Sequence, residues 1–179
     1  MNAVLEAAPY RELLLGCGNS RAKGLTFDAI PPTWQNLTTL DLLADCKPDV
    51  LWDLNVLPLP FEDNSFDEVH AYEVLEHTGT QGDWRFFFAQ FSEFWRILKP
   101  GGYFCGSTPM WDSEWAWADP GHTRVISAKG LCFLEQDFYA LEVGKTAASD
   151  YRSVYKADYR LLGKQEKKDN LFFVLQAKK

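Results

Sequence analysis

The amino-acid sequence predicts an α/β fold, a doubly wound and mostly parallel sheet that ends in an antiparallel hairpin. Three observations predict it. Short apolar or β-branched runs recur along the chain with turn-rich or helical segments between them, which is the pattern of strand–crossover–strand units. The first run, Glu12-Leu-Leu-Leu15, breaks directly into Gly16-Cys17-Gly18, and a glycine turn at the carboxyl end of a parallel strand is where open α/β sheets receive nucleotides. Near the C-terminus two strand-like runs flank the polar turn Glu166-Lys-Lys-Asp-Asn170, as in a hairpin.

The elements follow in order. Residues 11–15 form the first strand. Between 19 and 37, Gly24, Pro31 and Pro32 leave room only for a short or broken helix. Residues 37–41 make the second strand and end on Asp41; residues 49–52 make a third, followed by Asp53. The segment 57–66 is rich in proline and turn residues and delivers the chain to a fourth strand at 66–71, with a short helix from Tyr72. From Asp83, a candidate N-cap, Trp84, Phe87, Phe88, Phe91, Phe94, Trp95 and Leu98 recur at helical spacing, so this helix buries an aromatic face. Lys99-Pro-Gly-Gly102 stops it, and residues 103–107 form the fifth strand. Residues 108–125 show no period, and a loop this long in a compact domain is usually a lid or binding loop. Ser127 caps a helix to about residue 134. Residues 138–143 fit strand or helix, and the hairpin takes 155–165 and 171–177.

With 179 residues, 46% of them hydrophobic, one globular domain spanning 1–179 is expected. A net charge of −7 lacks the basic footprint of a nucleic-acid binder and favours small partners. The cysteines at 17, 46, 105 and 132 form no CxxC pair and read as reduced thiols of a cytoplasmic protein. Met1-Asn-Ala-Val-Leu-Glu6 does not open a targeting signal, and no apolar run is long enough to span a membrane. The sequence carries no signal of oligomeric state.

Gly-Cys-Gly alone is a weak motif, and the bland reading of each acid is a cap or a surface charge. Downstream residues give them context: Leu-Asp41, Trp-Asp-Leu54, Leu-Pro-Phe-Glu-Asp-Asn-Ser-Phe-Asp-Glu-Val69, Glu-Val-Leu-Glu-His77 and Trp-Arg-Ile-Leu-Lys-Pro-Gly-Gly102. Taken with the glycine turn and in this order, they resemble the class I S-adenosylmethionine-dependent methyltransferases, in particular their type 11 branch. The resemblance runs from about residue 12 to 107 and continues more weakly through Asp-Pro-Gly-His-Thr-Arg124. It implies a Rossmann-like sheet and S-adenosylmethionine as cofactor. Gly16, Cys17 and Gly18 would approach the methionine part, Asp41 with Leu42 the ribose, and Asp53 and Leu54 the adenine. Tyr72 and Glu73 would line the methyl-transfer site. Asp28 is a weaker substitute for Asp41. Ser20 stands where the family usually has a further glycine.

Methyl transfer needs a base only when the nucleophile arrives protonated, and His77, His122 and, behind them, Glu73 are the candidates, beside a structural role for each histidine. Trp111, Trp115, Trp117 and Arg124 lie in the long loop and would close over a substrate, the tryptophans by stacking and the arginine by holding an anion; the plain alternative is a satellite hydrophobic cluster. Glu76, His77, Asp119 and His122 match no recognised ligand spacing, so no metal is expected. The leading expectation is methyl transfer to a small-molecule acceptor. The second is a catalytically inactive cofactor-binding or partner module with the same fold. An NAD-type enzyme is disfavoured, because Gly-Cys-Gly-Asn-Ser-Arg21 lacks the third glycine of the dinucleotide fingerprint.

Overall fold

The computed structural model describes residues 9–179, and the segment Met1–Glu6 lies outside them. Its centre is a seven-stranded sheet of β1 (Glu12–Leu15), β2 (Leu37–Asp41), β3 (Val50–Leu51), β4 (Phe66–Tyr72), β5 (Leu98–Pro109), β6 (Asp158–Lys167) and β7 (Asn170–Lys178). The spatial order is β3-β2-β1-β4-β5-β7-β6. The first five pair in parallel, and β7 runs antiparallel to both β5 and β6. The order reverses at β1 and β4, so the carboxyl ends of these strands flank the crevice in which such sheets bind ligands.

One face of the sheet is covered by α1 (Trp84–Ile97), whose N-cap Asp83 accepts a hydrogen bond from Phe86 N at 3.0 Å. The aromatic period of this helix becomes its buried stripe, with Phe88, Phe91 and Phe94 in the core. Phe94 stacks on Phe104 of β5 at 4.9 Å between ring centroids, and the Tyr159 hydroxyl donates to Phe91 O at 2.9 Å. Leu13, Leu15, Val69, Ala71 and Phe173 complete this core.

The other face has no crossover helix. Residues 17–36 cross it as irregular chain, as Gly24 and the two prolines require. They rest on polar side chains of the sheet. The Lys23 ammonium lies 3.2 Å from Glu12 Oε1 and 2.7 Å from Glu68 Oε2, with all three side chains buried. Glu68 also accepts from the Tyr10 hydroxyl at 2.6 Å and pairs with His70 Nε2 at 2.6 Å. Trp34 packs edge-on to His70, and Phe27 edge-on to Tyr103. Every buried charge here has a partner, as the low dielectric demands.

Several boundaries differ from the sequence reading. Lys99-Pro-Gly-Gly102 stops the helix but is extended and belongs to β5, which runs on to Pro109. The helix expected after Ser127 is a 3-10 turn, Gly130–Leu134, with Ser127 Oγ accepting from Gly130 N at 3.1 Å. The undecided segment falls largely in α3 (Gln136–Glu142). β6 begins only at Asp158, because Tyr155 is a buried plug whose hydroxyl donates to Leu134 O at 3.2 Å. A short helix, α2 (Trp115–Ala118), interrupts the long loop. At one border of the sheet, β6 exposes Lys164, Glu166 and Lys167 and its pairing shifts register between Leu161 and Gly163; at the other, β3 is two residues long. Among the described residues no helix is long and apolar enough to cross a membrane.

Candidate active site

Strand register assembles a cleft at the carboxyl ends of β1, β2 and β3. Leu15 lies opposite Leu40, and Asp41 opposite Leu51, which places Asp41 and Asp53 beside the turn that leaves β1. Gly16 and Gly18 have φ of +59° and +49°, left-handed conformations that side chains resist. A Cβ at Gly16 would stand 2.2 Å from Val74 Cγ2, whereas one at Gly18 would meet nothing within 4 Å. The first glycine is therefore required by packing, and the second leaves open backbone facing the cleft.

Asp41 holds this turn: its Oδ2 accepts from Gly18 N at 2.8 Å and its Oδ1 from Leu43 N at 2.8 Å. Asp53 Oδ1 accepts from the backbone and side-chain amides of Asn55 at 2.8 and 2.9 Å, and Asn55 Oδ1 in turn accepts from Gly79 N at 2.8 Å. The cleft is lined by Gly16, Gly18, Asp41, Leu42, Asp53, Leu54 and His77, together with Val74, Asn55 and Thr78. Leu42 is 61% exposed and Leu54 buried.

Of three further residues expected at the cofactor, Tyr72 and Glu73 are not among those lining the cleft, whereas Cys17, expected there by its backbone, stays in the turn between Gly16 and Gly18. Tyr72 shares the strand face of Glu68 and His70; its hydroxyl meets His70 Nδ1 at 2.5 Å and accepts from Leu25 N at 3.0 Å. It anchors the irregular chain on the far side of the sheet and does not line the cleft, because side chains two apart on a strand share a face. Cys17 is buried, its amide donating to Leu40 O at 3.2 Å, and burial pushes its thiol above the usual range. Glu73 has a φ of +49° and accepts from Ser107 Oγ at 2.5 Å; it is not among the residues lining the cleft.

His77 ends a 3-10 turn, Leu75–His77, and its ring lies edge-on to that of His122, 4.7 Å away. The two histidines, 45 positions apart in sequence, meet because Thr123 N and Arg124 N both donate to Glu76 O, at 2.8 and 3.3 Å. Glu76, absent from the sequence candidates for catalysis, is buried beside them, and burial pushes its carboxyl up to about 8. The expected anion-holding role of Arg124 is corrected: the residue is buried, donating from Nε to Leu75 O at 2.9 Å and from Nη2 to Thr78 Oγ1 at 2.8 Å and Gln90 Oε1 at 2.5 Å. Its charge is turned inward as a strut and not toward a substrate. Trp111, Trp115 and Trp117 remain 61–68% exposed, with Trp117 Nε1 donating to Trp111 O at 3.2 Å. They do not pack as a satellite core.

Residues 13–106 match the family model described as "Methyltransferase domain". Over 82 residues the chain is 39% identical to a protein of Mycolicibacterium smegmatis named as a probable S-adenosylmethionine-dependent methyltransferase, a stretch of 43% of this chain and 29% of that relative. The chain thus matches under a third of that relative's length. Among solved structures it resembles a putative methyltransferase from a complex with the Haloferax volcanii Trm112 methyltransferase activator, with a TM-score of 0.60 at 16% identity over 96% of this chain and 84% of that one. It also resembles the N-methyltransferase NodS of Bradyrhizobium japonicum, solved with S-adenosyl-L-homocysteine, with a TM-score of 0.56 at 13% identity over 96% of this chain and 80% of that one. At these identities the likeness concerns the fold.

Proposed function

The chain belongs to the methyltransferase-domain family, in its class I S-adenosylmethionine-dependent branch, and from that premise we propose that it transfers a methyl group to a small-molecule acceptor in the cytoplasm. The observation that carries the proposal is the convergence of the Gly16–Gly18 turn, Asp41 and Asp53 at the carboxyl ends of three neighbouring parallel strands. Four free cysteines support a reducing compartment.

The residues present fit the cofactor. Each Asp41 oxygen accepts one backbone amide, which leaves lone pairs for ribose hydroxyls. Asp53 uses Oδ1 for Asn55, so its other oxygen suits the exocyclic amine of adenine. Leu42, exposed next to Asp41, offers an apolar surface to the face of a base. Gly18 presents open backbone to the methionine part. S-adenosylmethionine supplies an electrophilic methyl group on a sulfonium whose charge is lost on transfer. The protein's task is then alignment and exclusion of water. Trp111, Trp115 and Trp117 serve the second task by folding over the acceptor. His77 lines the cleft and His122 packs against it, and either would take a proton from an acceptor that arrives protonated.

Calorimetric titration with S-adenosylmethionine, its demethylated product and NAD tests the proposal. The first two should bind and NAD should not. Asp41→Ala and Asp53→Ala should each weaken binding by about tenfold or more, since a hydrogen bond to a charged group contributes about 1.5–3 kcal/mol. Tighter binding of NAD, or indifference to both substitutions, would overturn it. A second reading, a module that binds cofactor and acts through a protein partner, is favoured by Leu43 and Leu51, both near 60% exposed beside the open β3 border. The Haloferax relative's complex with an activator is in keeping with it. Cofactor binding without turnover across an acceptor screen would select this reading.

A further inference from the structure

The turn after β4 and the segment after α2 bring three metal-type ligands together. One ligand atom from each of Glu76, His77 and His122 lies within 4.8 Å of the other two. At cation–ligand distances of about 2.0–2.2 Å, small side-chain rotations close such a triangle around an ion. His77 is exposed and has that freedom.

Two independent features mark the residues of the triangle. Glu76 is 2% exposed, and its Oε2 is the one buried side-chain oxygen or nitrogen among the described residues that has no hydrogen-bond partner. An orphaned buried carboxyl oxygen is costly unless something occupies the space before it. The two imidazoles, in turn, are already oriented. His77 Nδ1 is 3.1 Å from Gly121 O and His122 Nδ1 is 3.4 Å from Ala116 O. A carbonyl only accepts, so in each neutral ring Nδ1 carries the proton and Nε2 keeps its lone pair. An imidazole tied by its second nitrogen to a backbone carbonyl is the arrangement found around protein-bound metals. Asp119 lies beside the two rings: Oδ1 accepts from Gly121 N at 2.7 Å, and Oδ2 stands 3.9 Å from His122 Nε2.

We propose that Glu76, His77 and His122 form a binding site for a divalent first-row transition cation, with Asp119 in reach as a fourth ligand. Two imidazoles and one carboxylate suit Zn²⁺, Co²⁺, Mn²⁺ or Fe²⁺ and leave coordination positions open. Because His77 also lines the cofactor cleft, those positions face the place where an acceptor would lie, and an oxygen-bearing acceptor is the class they would take. A cation on both Nε2 atoms uses the lone pairs that a base would use, so the two roles of these histidines exclude each other.

The test needs no cofactor, so its failure is distinct from failure of the methyltransferase reading. Tag-free protein stripped with chelator is titrated with Co²⁺ by visible absorption and with Zn²⁺ and Mn²⁺ by calorimetry. One cation per chain is expected, with Co²⁺ giving ligand-field bands. Glu76→Gln and His122→Asn should weaken binding by about tenfold or more, and Asp119→Asn by less. Circular dichroism confirms the fold of each variant, and His77→Asn, at an exposed position, replaces any that fails to fold. Absence of cation binding by the unaltered protein, or stoichiometric binding that survives these substitutions, would overturn the proposal.

Discussion

Replacing Lys23 by methionine tests what seats the irregular crossover under the cofactor turn. Lys23 reaches Glu12, Glu68 and, at 2.9 Å, Pro31 O, and its ammonium lies 4.8 Å from the centre of the Trp34 ring. Methionine keeps the apolar stem and removes the charge, leaving two carboxylates in a buried site. Removing one partner from a buried ion pair costs about 3–5 kcal/mol. The lower end applies here, because Glu68 keeps Tyr10 and His70, and Glu12 keeps the amides of Gln35 and Asn36, both at 2.8 Å. A loss of about 3 kcal/mol in a domain of this size corresponds to a fall in melting temperature of roughly 6–12 °C. Urea unfolding gives the free energy, and calorimetry gives the temperature. Lys23→Met combined with Glu68→Gln should lose less than the sum of the single losses, since the two groups interact directly. A loss under about 1 kcal/mol for Lys23→Met, or strict additivity of the pair, would show that Trp34 and Phe27 hold the segment by packing alone.

The same cluster sets an acid limit. Burial holds His70 below its ordinary 6.5 despite the neighbouring Glu68, and for Glu68 burial raises the carboxyl but hydrogen bonds from His70, Lys23 and Tyr10 outweigh it, holding it below 4.5. Both folded values are depressed, so the stability they contribute is complete above the unfolded values and is lost as pH falls. The melting temperature should therefore begin to fall below pH 6.5 and fall more steeply below 4.5, and His70→Gln should flatten the upper part; an unchanged acid limb in that variant would refute the assignment. Gly16→Ala should unfold the turn and abolish cofactor binding, whereas Gly18→Ala should cost only the left-handed backbone, about 1–2 kcal/mol; equal effects would contradict the close approach of Val74. Trp115→Ala with Trp117→Ala should lower turnover on a responsive acceptor and leave the melting temperature within about 2 °C, because exposed side chains contribute little to stability. Intact turnover with a lowered melting temperature would refute their part in covering the acceptor.

The strands and the glycine turn are legible because their signals are local: a leucine run ending in glycine, and acids that close the second and third strand segments. α1 is legible from its aromatic spacing. The polar face is not legible, since strand alternation alone does not tell Glu12, Glu68 and His70 from solvent-side residues, and nothing in the sequence says that an irregular segment will bring Lys23 over them. Tyr72 shows how narrow the margin is. Its position at the strand end is readable, but the parity that puts it with His70 instead of with the cleft depends on where the strand stops. Arg124 and Glu76 depend on backbone bonds between segments over 40 positions apart in sequence, a distance that spacing rules do not cross.

The unequal borders of the sheet bear on how this chain behaves in concentrated solution. An unpaired strand edge is a template on which another chain can build, and natural sheets blunt it with charge and with irregular pairing. β6 carries both devices, in Lys164, Glu166 and Lys167 and in the register shift at Leu161. β3 offers only two residues, too short a ladder to recruit a foreign strand without help from the leucines around it. Strand addition by another chain is therefore disfavoured on the hairpin side.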